Sequence, residues 1–199
     1  MRHSPKDLAN LLGSRLCHDL ISPIGAVCNG VELLGMGPTG AMPELALISE
    51  SVESANYKIQ FYRVAFGISS NKQYVAPSEV RRVLAGMYKG SRLRVEWAVE
   101  TDSLRPIVKL AFLLLMCAEA ALPYGGTVRI SETEDGWLLC AEGVTKQLDD
   151  GLWDTLRQTD IGVTLTPAQV HFGLAPFAAE DAGRTIDPSH DETGITIRF

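Results

Sequence analysis

Residues 16–34 read LCHDLISPIGAVCNGVELL, with His18 beside Asp19 and Pro23 four positions after the aspartate. A neutral imidazole is a nitrogen nucleophile near pH 7 when one ring nitrogen keeps its proton and the other presents a lone pair. A neighbouring carboxylate can accept from the protonated nitrogen, fix the tautomer and stabilise charge as the other nitrogen attacks. Pro23 has no N–H to return to the carbonyl of Asp19, so a helix through this stretch should bend or loosen one turn beyond the pair. At helical spacing, Ser14, Ser22, Gly25 and Asn29 share the His18 face. All are small, so a bulky reactant could reach the ring. Arg15 lies beside them and can be read either as steering phosphate or as a plain solvated arginine.

The element that must carry the pair runs from about Pro5 to Leu34, with apolar or small residues at Gly13, Cys17, Leu20, Ile24, Val27, Val31 and Leu34. GMGPTGAMP breaks that rhythm as a helix-to-helix loop should. A second run follows at Leu45, Ile48, Val52, Ala55, Ile59, Tyr62 and Phe66, and the two seams are expected to face one another. A hairpin of two helices cannot enclose its apolar seam on both sides, which predicts a symmetric homodimer closing a four-helix bundle.

GISSNKQYVAPSE ends the helical pattern. Residues 1–70 are therefore expected to form the hairpin, 71–78 a linker and 79–199 a second domain. In that domain SEVRRVLAGMYKG reads as a short helix and RLRVEWAVE as a strand. A buried helix spans about Leu104 to Leu122, and GGTVRISETEDGWLLCAEG forms a hairpin turning at Asp135-Gly136. Thr166, Pro167 and Gly183 bracket a further helix, and GITIRF closes the chain as a strand. The expected class is α+β, helices on one mainly antiparallel sheet in the second half.

With 199 residues, 46% of them hydrophobic, the chain can bury a core, and a net charge of -6 argues against a nucleic-acid partner. Cys17, Cys28, Cys117 and Cys140 have neither CxxC spacing nor a secreted-domain pattern, so they read as reduced core thiols without metal. LAFLLLMCAEAAL, the longest apolar run, is too short to span a membrane and carries Glu119, so a cytoplasmic protein is expected. His3, His171 and His190 have no ligand-spaced companions, and Trp97, Trp137 and Trp153 read as packing residues.

HDLISPIGAVCNGVELL resembles the H-box of histidine-kinase dimerisation domains, H-E-[LI]-x-[ST]-P-[LI], followed by a Gly-x-x-[EL]-L-L run. Asp19 replaces the glutamate but keeps the carboxylate. The second half is similar in layout to the kinase ATP-binding domain, with LLLMCAEAALPYGGTVRI in the place of the N-box. There Cys117 stands for the magnesium-binding asparagine and Ala120 for a polar residue. No D-x-G-x-G follows WLLCAEG, and only Gly173 remains of the G-x-G-L-G-L segment. A phosphorylatable histidine without a phosphate donor resembles the dimeric ChpT-type histidine phosphotransferases over nearly the whole chain.

That resemblance implies that His18 accepts a phosphoryl group from the receiver-domain aspartate of a hybrid histidine kinase and passes it to response regulators, in cell-cycle control. The nitrogen distal to the main chain would attack while Asp19 orients the ring, and Ser14, Arg15, Ser22, Gly25 and Asn29 would meet the receiver. No cofactor is expected on this chain: magnesium would come with the partner's receiver domain, and neither ATP nor a resident metal would bind. The second domain would add a contact surface for the receiver. Two alternatives stay open on sequence alone: a divergent kinase that still uses ATP, and a scaffold that binds receiver domains without chemistry.

Overall fold

In the computed structural model, residues 4–36, 42–70, 72–144, 149–158, 162–190 and 194–199 are described. The chain opens with two long antiparallel helices, α1 (Pro5–Met36) and α2 (Met42–Ala65). Ser4 and Asp7 start α1 reciprocally: the Asp7 N–H donates to Ser4 Oγ at 3.2 Å while Asp7 Oδ2 accepts from the Ser4 N–H at 2.9 Å, and Pro5 needs no amide partner at the first helical position. Gly30 lets the helices approach closely, since a Cβ there would lie 2.5 Å from Ile48 Cγ1. The loop expected at GMGPTGAMP falls largely outside the described residues.

The face that α1 turns to α2 differs from the expected seam. Leu8, Pro23 and Gly30 are buried, and Asp19 is partly buried there, whereas Gly13, Cys17, Ile24 and Val31 are exposed. On α2, Ala55 and Tyr62 are buried but Leu45, Val52 and Ile59 are open. An apolar period marks a stripe without saying what covers it. Here one flank of the stripe closes the intrachain hairpin and the other is left facing outward. The same rotation corrects the reading of the cysteines. Cys117 is buried and Cys140 half-buried, but Cys17 and Cys28 lie on the outward flank and are exposed.

Beyond α2 the chain builds a sheet with helices on one face. Tyr74–Val75 (β1) pairs antiparallel with Ser103–Leu104 (β3), and α3 (Pro77–Met87) begins at once, so residues 74–78 of the expected linker are held by structure; residue 71 is outside the described residues. A five-stranded sheet has the order β2 (Leu93–Trp97), β4 (Gly126–Thr133), β5 (Gly136–Glu142), β7 (Gly194–Arg198), β6 (Asp187–His190). Its pairs are antiparallel except β2 with β4. Val128, Ile130, Leu139 and Ile197 point to the helices while Thr127 and Arg129 face out, the alternation of a half-buried sheet. The β4–β5 turn lies at Glu134-Asp135, and Gly136 opens β5 at φ 138°.

At the centre is α4 (Arg105–Ala121), with 13 of its 17 residues buried, as a helix apolar on every side must be. It packs between the sheet, α2 and α6 (Val170–Ala182). Phe61 of α2 stacks on Phe112 of α4 at 4.8 Å, so the hairpin and the second domain share one core. A short helix, α5 (Asp150–Asp154), lies in the segment before α6. A 3-10 turn (Pro167–Gln169) leads into α6, with Thr166 and Gln169 forming a capping box. Gly183 ends α6 in the left-handed conformation, φ 65°. The fold is α+β, a long helical hairpin joined to a helix-on-sheet domain. Among the described residues no helix is long and apolar enough to cross a membrane.

Candidate functional site

α1 is helical without interruption through Pro23. The consequence of the missing proline N–H is seen instead at its acceptor, because the carbonyl of Asp19 takes a hydrogen bond from Lys58 Nζ of α2 at 3.2 Å. A backbone group that the helix cannot satisfy is met by a cation from the neighbouring helix, which also fixes the turn carrying the pair.

The His18 side chain is 87% exposed and that of Asp19 only 16%. Nδ1 of His18 lies 3.2 Å from Asp19 Oδ1. With Nδ1 as the donor, the ring is the tautomer whose Nε2 carries the lone pair, and that nitrogen is the one remote from the backbone. Asp19 Oδ2 is occupied separately: Arg15 Nε and the Tyr62 hydroxyl both donate to it. Burial alone would raise the Asp19 carboxyl. Hydrogen bonds from Tyr62, His18 and Arg15, together with the Arg15 charge, outweigh it and hold the group below its ordinary value. The carboxylate therefore stays ionised beside the ring across the neutral range.

Ser14, Ser22, Gly25 and Asn29 are all exposed on the His18 side of α1, and nothing lies within 4 Å of where a Gly25 Cβ would project. Arg15 is placed differently from its four companions. It is partly buried, bonded to Asp19, and its NH1 donates to the carbonyl of Ala168 at 3.0 Å. A solvated arginine is thereby excluded.

Tyr62 and Lys58 were not singled out by their chemistry. Spacing places Tyr62 in the α2 seam, which is where its ring lies. Its hydroxyl reaches a residue 43 positions away in the chain, and no local pattern carries that information. Burial, and then the hydrogen bond to Asp19 and its charge, raise the Tyr62 phenol, so it stays a donor. On the far side of this cluster Tyr88 donates to Glu119 Oε2 at 3.0 Å. His171, on α6, is 2% exposed and neither ring nitrogen finds a hydrogen-bond partner among the described residues. His190 is exposed on β6. Among the described residues no three His, Cys, Asp or Glu side chains converge as a metal site.

Residues 77–194 match the family described as "Histidine phosphotransferase C-terminal domain". The chain is 33% identical over 147 residues to "Protein phosphotransferase ChpT" of Brucella abortus (strain 2308), covering 70% of this chain and 69% of that protein. A solved structure described as "1.7 Angstrom Structure of a Bacterial Phosphotransferase" superposes with a TM-score of 0.78 at 26% identity, over 99% of this chain and 97% of the other.

Proposed function

Given that the chain belongs to the histidine phosphotransferase family and is a phosphotransferase of a phosphorelay, we propose that His18 is its phosphoacceptor, with Asp19 orienting the ring. The observation that carries this is the pairing of an 87% exposed imidazole with a carboxylate fixed from its other side. Nε2 attacks the phosphorus of a receiver's aspartyl phosphate in line, the N–P bond forms as the P–O bond to the receiver carboxylate breaks, and that carboxylate leaves. Asp19 holds the Nδ1 proton and offsets the positive charge gained by the ring. In the second half-reaction the carboxylate of another receiver attacks the same phosphorus and the imidazole leaves.

The donor is the receiver domain of a hybrid histidine kinase and the acceptors are response regulators, in control of the cell cycle, and the receivers dock on Ser14, Ser22, Gly25 and Asn29. Magnesium enters with the receiver. Support for a chain that holds no metal or ATP comes from α4: Cys117, at the position of the kinase asparagine, is fully buried and its thiol is pushed up by burial, leaving no hard oxygen ligand at that place. The reading includes a cytoplasmic location. A homodimer is supported by the outward stripes, Ile21, Ile24 and Val31 on α1 and Leu45, Val52 and Ile59 on α2, each at least half exposed and the last three spaced by seven.

The test is to mix the purified protein with a phosphorylated receiver domain. Acid-labile, base-stable label on the wild type and none on His18→Ala is the expected result, with light scattering giving twice the chain mass for both. Label retained by His18→Ala, or autophosphorylation of the wild type with ATP and magnesium alone, contradicts the reading.

A further inference from the structure

A carboxylate beside a histidine orients the ring only if its own rotation is fixed, because an exposed aspartate turns about its terminal bond and offers either oxygen in any direction. Asp19 is not free to turn. One oxygen, Oδ2, receives two donors from two different helices, Arg15 Nε from α1 and the Tyr62 hydroxyl from α2, and the other oxygen is left facing His18 Nδ1. The backbone of the same residue is tied as well, by Lys58 Nζ on the Asp19 carbonyl. Arg15 is itself anchored at its far end by the Ala168 carbonyl, in the 3-10 turn that the Thr166–Gln169 capping box shapes. A continuous chain of hydrogen bonds thus runs from the second domain to the exposed imidazole.

Resting on the reading of His18 as phosphoacceptor, we propose that Tyr62 and Arg15 are positioning residues for phosphotransfer and that, through Arg15, the Pro167–Gln169 turn of the second domain sets the tautomer of the His18 ring. This gives the second domain a part in the chemistry without nucleotide and without contact to the reacting atoms. It also accounts for a bonded arginine on a face otherwise made of small open residues. A tyrosine serving only to pack would need no partner for its hydroxyl beyond water, and phenylalanine would replace it at no cost to the ring. A positioning tyrosine differs, since removal of one oxygen atom leaves Oδ2 with a single donor and frees the carboxylate to swing.

The experiment uses the full-length protein labelled with 15N-histidine, comparing wild type, Tyr62→Phe and Gln169→Ala. Long-range 1H–15N spectra read the His18 tautomer, and single-turnover transfer from a phosphorylated receiver gives the rate at saturation and the half-saturating concentration. The wild type is expected in the Nδ1–H form. Tyr62→Phe is expected to move the population toward Nε2–H and to slow saturated transfer about tenfold, the size typical of a lost orienting partner, with half-saturation unchanged. Gln169→Ala, which touches neither His18 nor Asp19, is expected to shift both readouts in the same direction by less. Unchanged tautomer and rate in Tyr62→Phe overturn the positioning role. A shift in Tyr62→Phe with none in Gln169→Ala overturns the part assigned to the second domain. A wild type that takes no label at His18 defeats the phosphoacceptor reading itself, which is a different failure from a labelled wild type whose variants match it.

Discussion

Helices α1 and α4 show opposite treatments of a reactive position. On α1 the surroundings of His18 are small and open, the ring is in solvent, and a partly buried carboxylate lies 3.2 Å from its Nδ1. On α4 the place where resembling kinases carry a magnesium-binding asparagine holds Cys117, which is fully buried, as are its helical neighbours Leu113 and Leu114. Burying a polar ligand costs free energy unless it is paired, so a thiol among apolar side chains suits this fully buried place better than an asparagine would. One helix carries the proposed chemistry on an exposed face, and the other supplies stability by burying 13 of its 17 residues.

Variants on the two helices should then fail in different ways. The largest effect expected on stability is at Phe112, which is fully buried on α4 against Phe61: Phe112→Ala should lower the unfolding free energy by about 3–5 kcal/mol, measured in urea. A change under 1 kcal/mol would mean that the hairpin and the second domain do not share a core. On α1 the loss should be catalytic. Asp19→Asn still accepts from Arg15 and Tyr62 but lacks the charge, so transfer should slow on the order of 100-fold while the urea midpoint moves little. Equal losses in rate and stability would erase the contrast between the helices.

The effect that is smallest at neutral pH and grows only in acid concerns His171, buried on α6. Burial, and then the Arg15 charge, hold its imidazole down to about 3, against an ordinary value of 6.5. Between those values the unfolded chain binds a proton that the folded chain does not. Stability from this group is therefore complete above about pH 6.5 and is lost as pH falls toward 3, by about 1.4 kcal/mol for each pH unit inside the window. His171→Leu should remove one proton from the slope of unfolding free energy between pH 6 and 4.5. An unaltered slope would show that the imidazole is not the group responsible.

Local patterns made the elements legible. The expected buried helix of Leu104 to Leu122 is Arg105–Ala121, because an apolar run of that length without turn residues has few other fates. Thr166, Pro167 and Gly183 mark the true limits of the 3-10 turn and α6. His18, Asp19 and Pro23 were visible as a motif. What the sequence concealed is relational. Strand β6, with sequence DPSH, has no strand composition and exists because β7 offers it an edge. The rotation of the α1 seam depends on which flank meets α2, and the donors on Asp19 are Tyr62, which spacing marks only as a seam residue, and Arg15, which the sequence offers only as a docking or solvated residue. In each case a distant segment decides, and no window of neighbouring residues contains it.

The bond between Arg15 and the Ala168 carbonyl closes a loop of 153 residues. Contacts of such long sequence separation form late, since the entropy of closing the intervening chain must first be overcome. During synthesis His18, Asp19, Lys58 and Tyr62 leave the ribosome early, but the anchor of Arg15 cannot form until residue 168 has followed. On the proposal made above for Arg15, an unfinished chain displays the imidazole before this last anchor of its neighbouring carboxylate is in place.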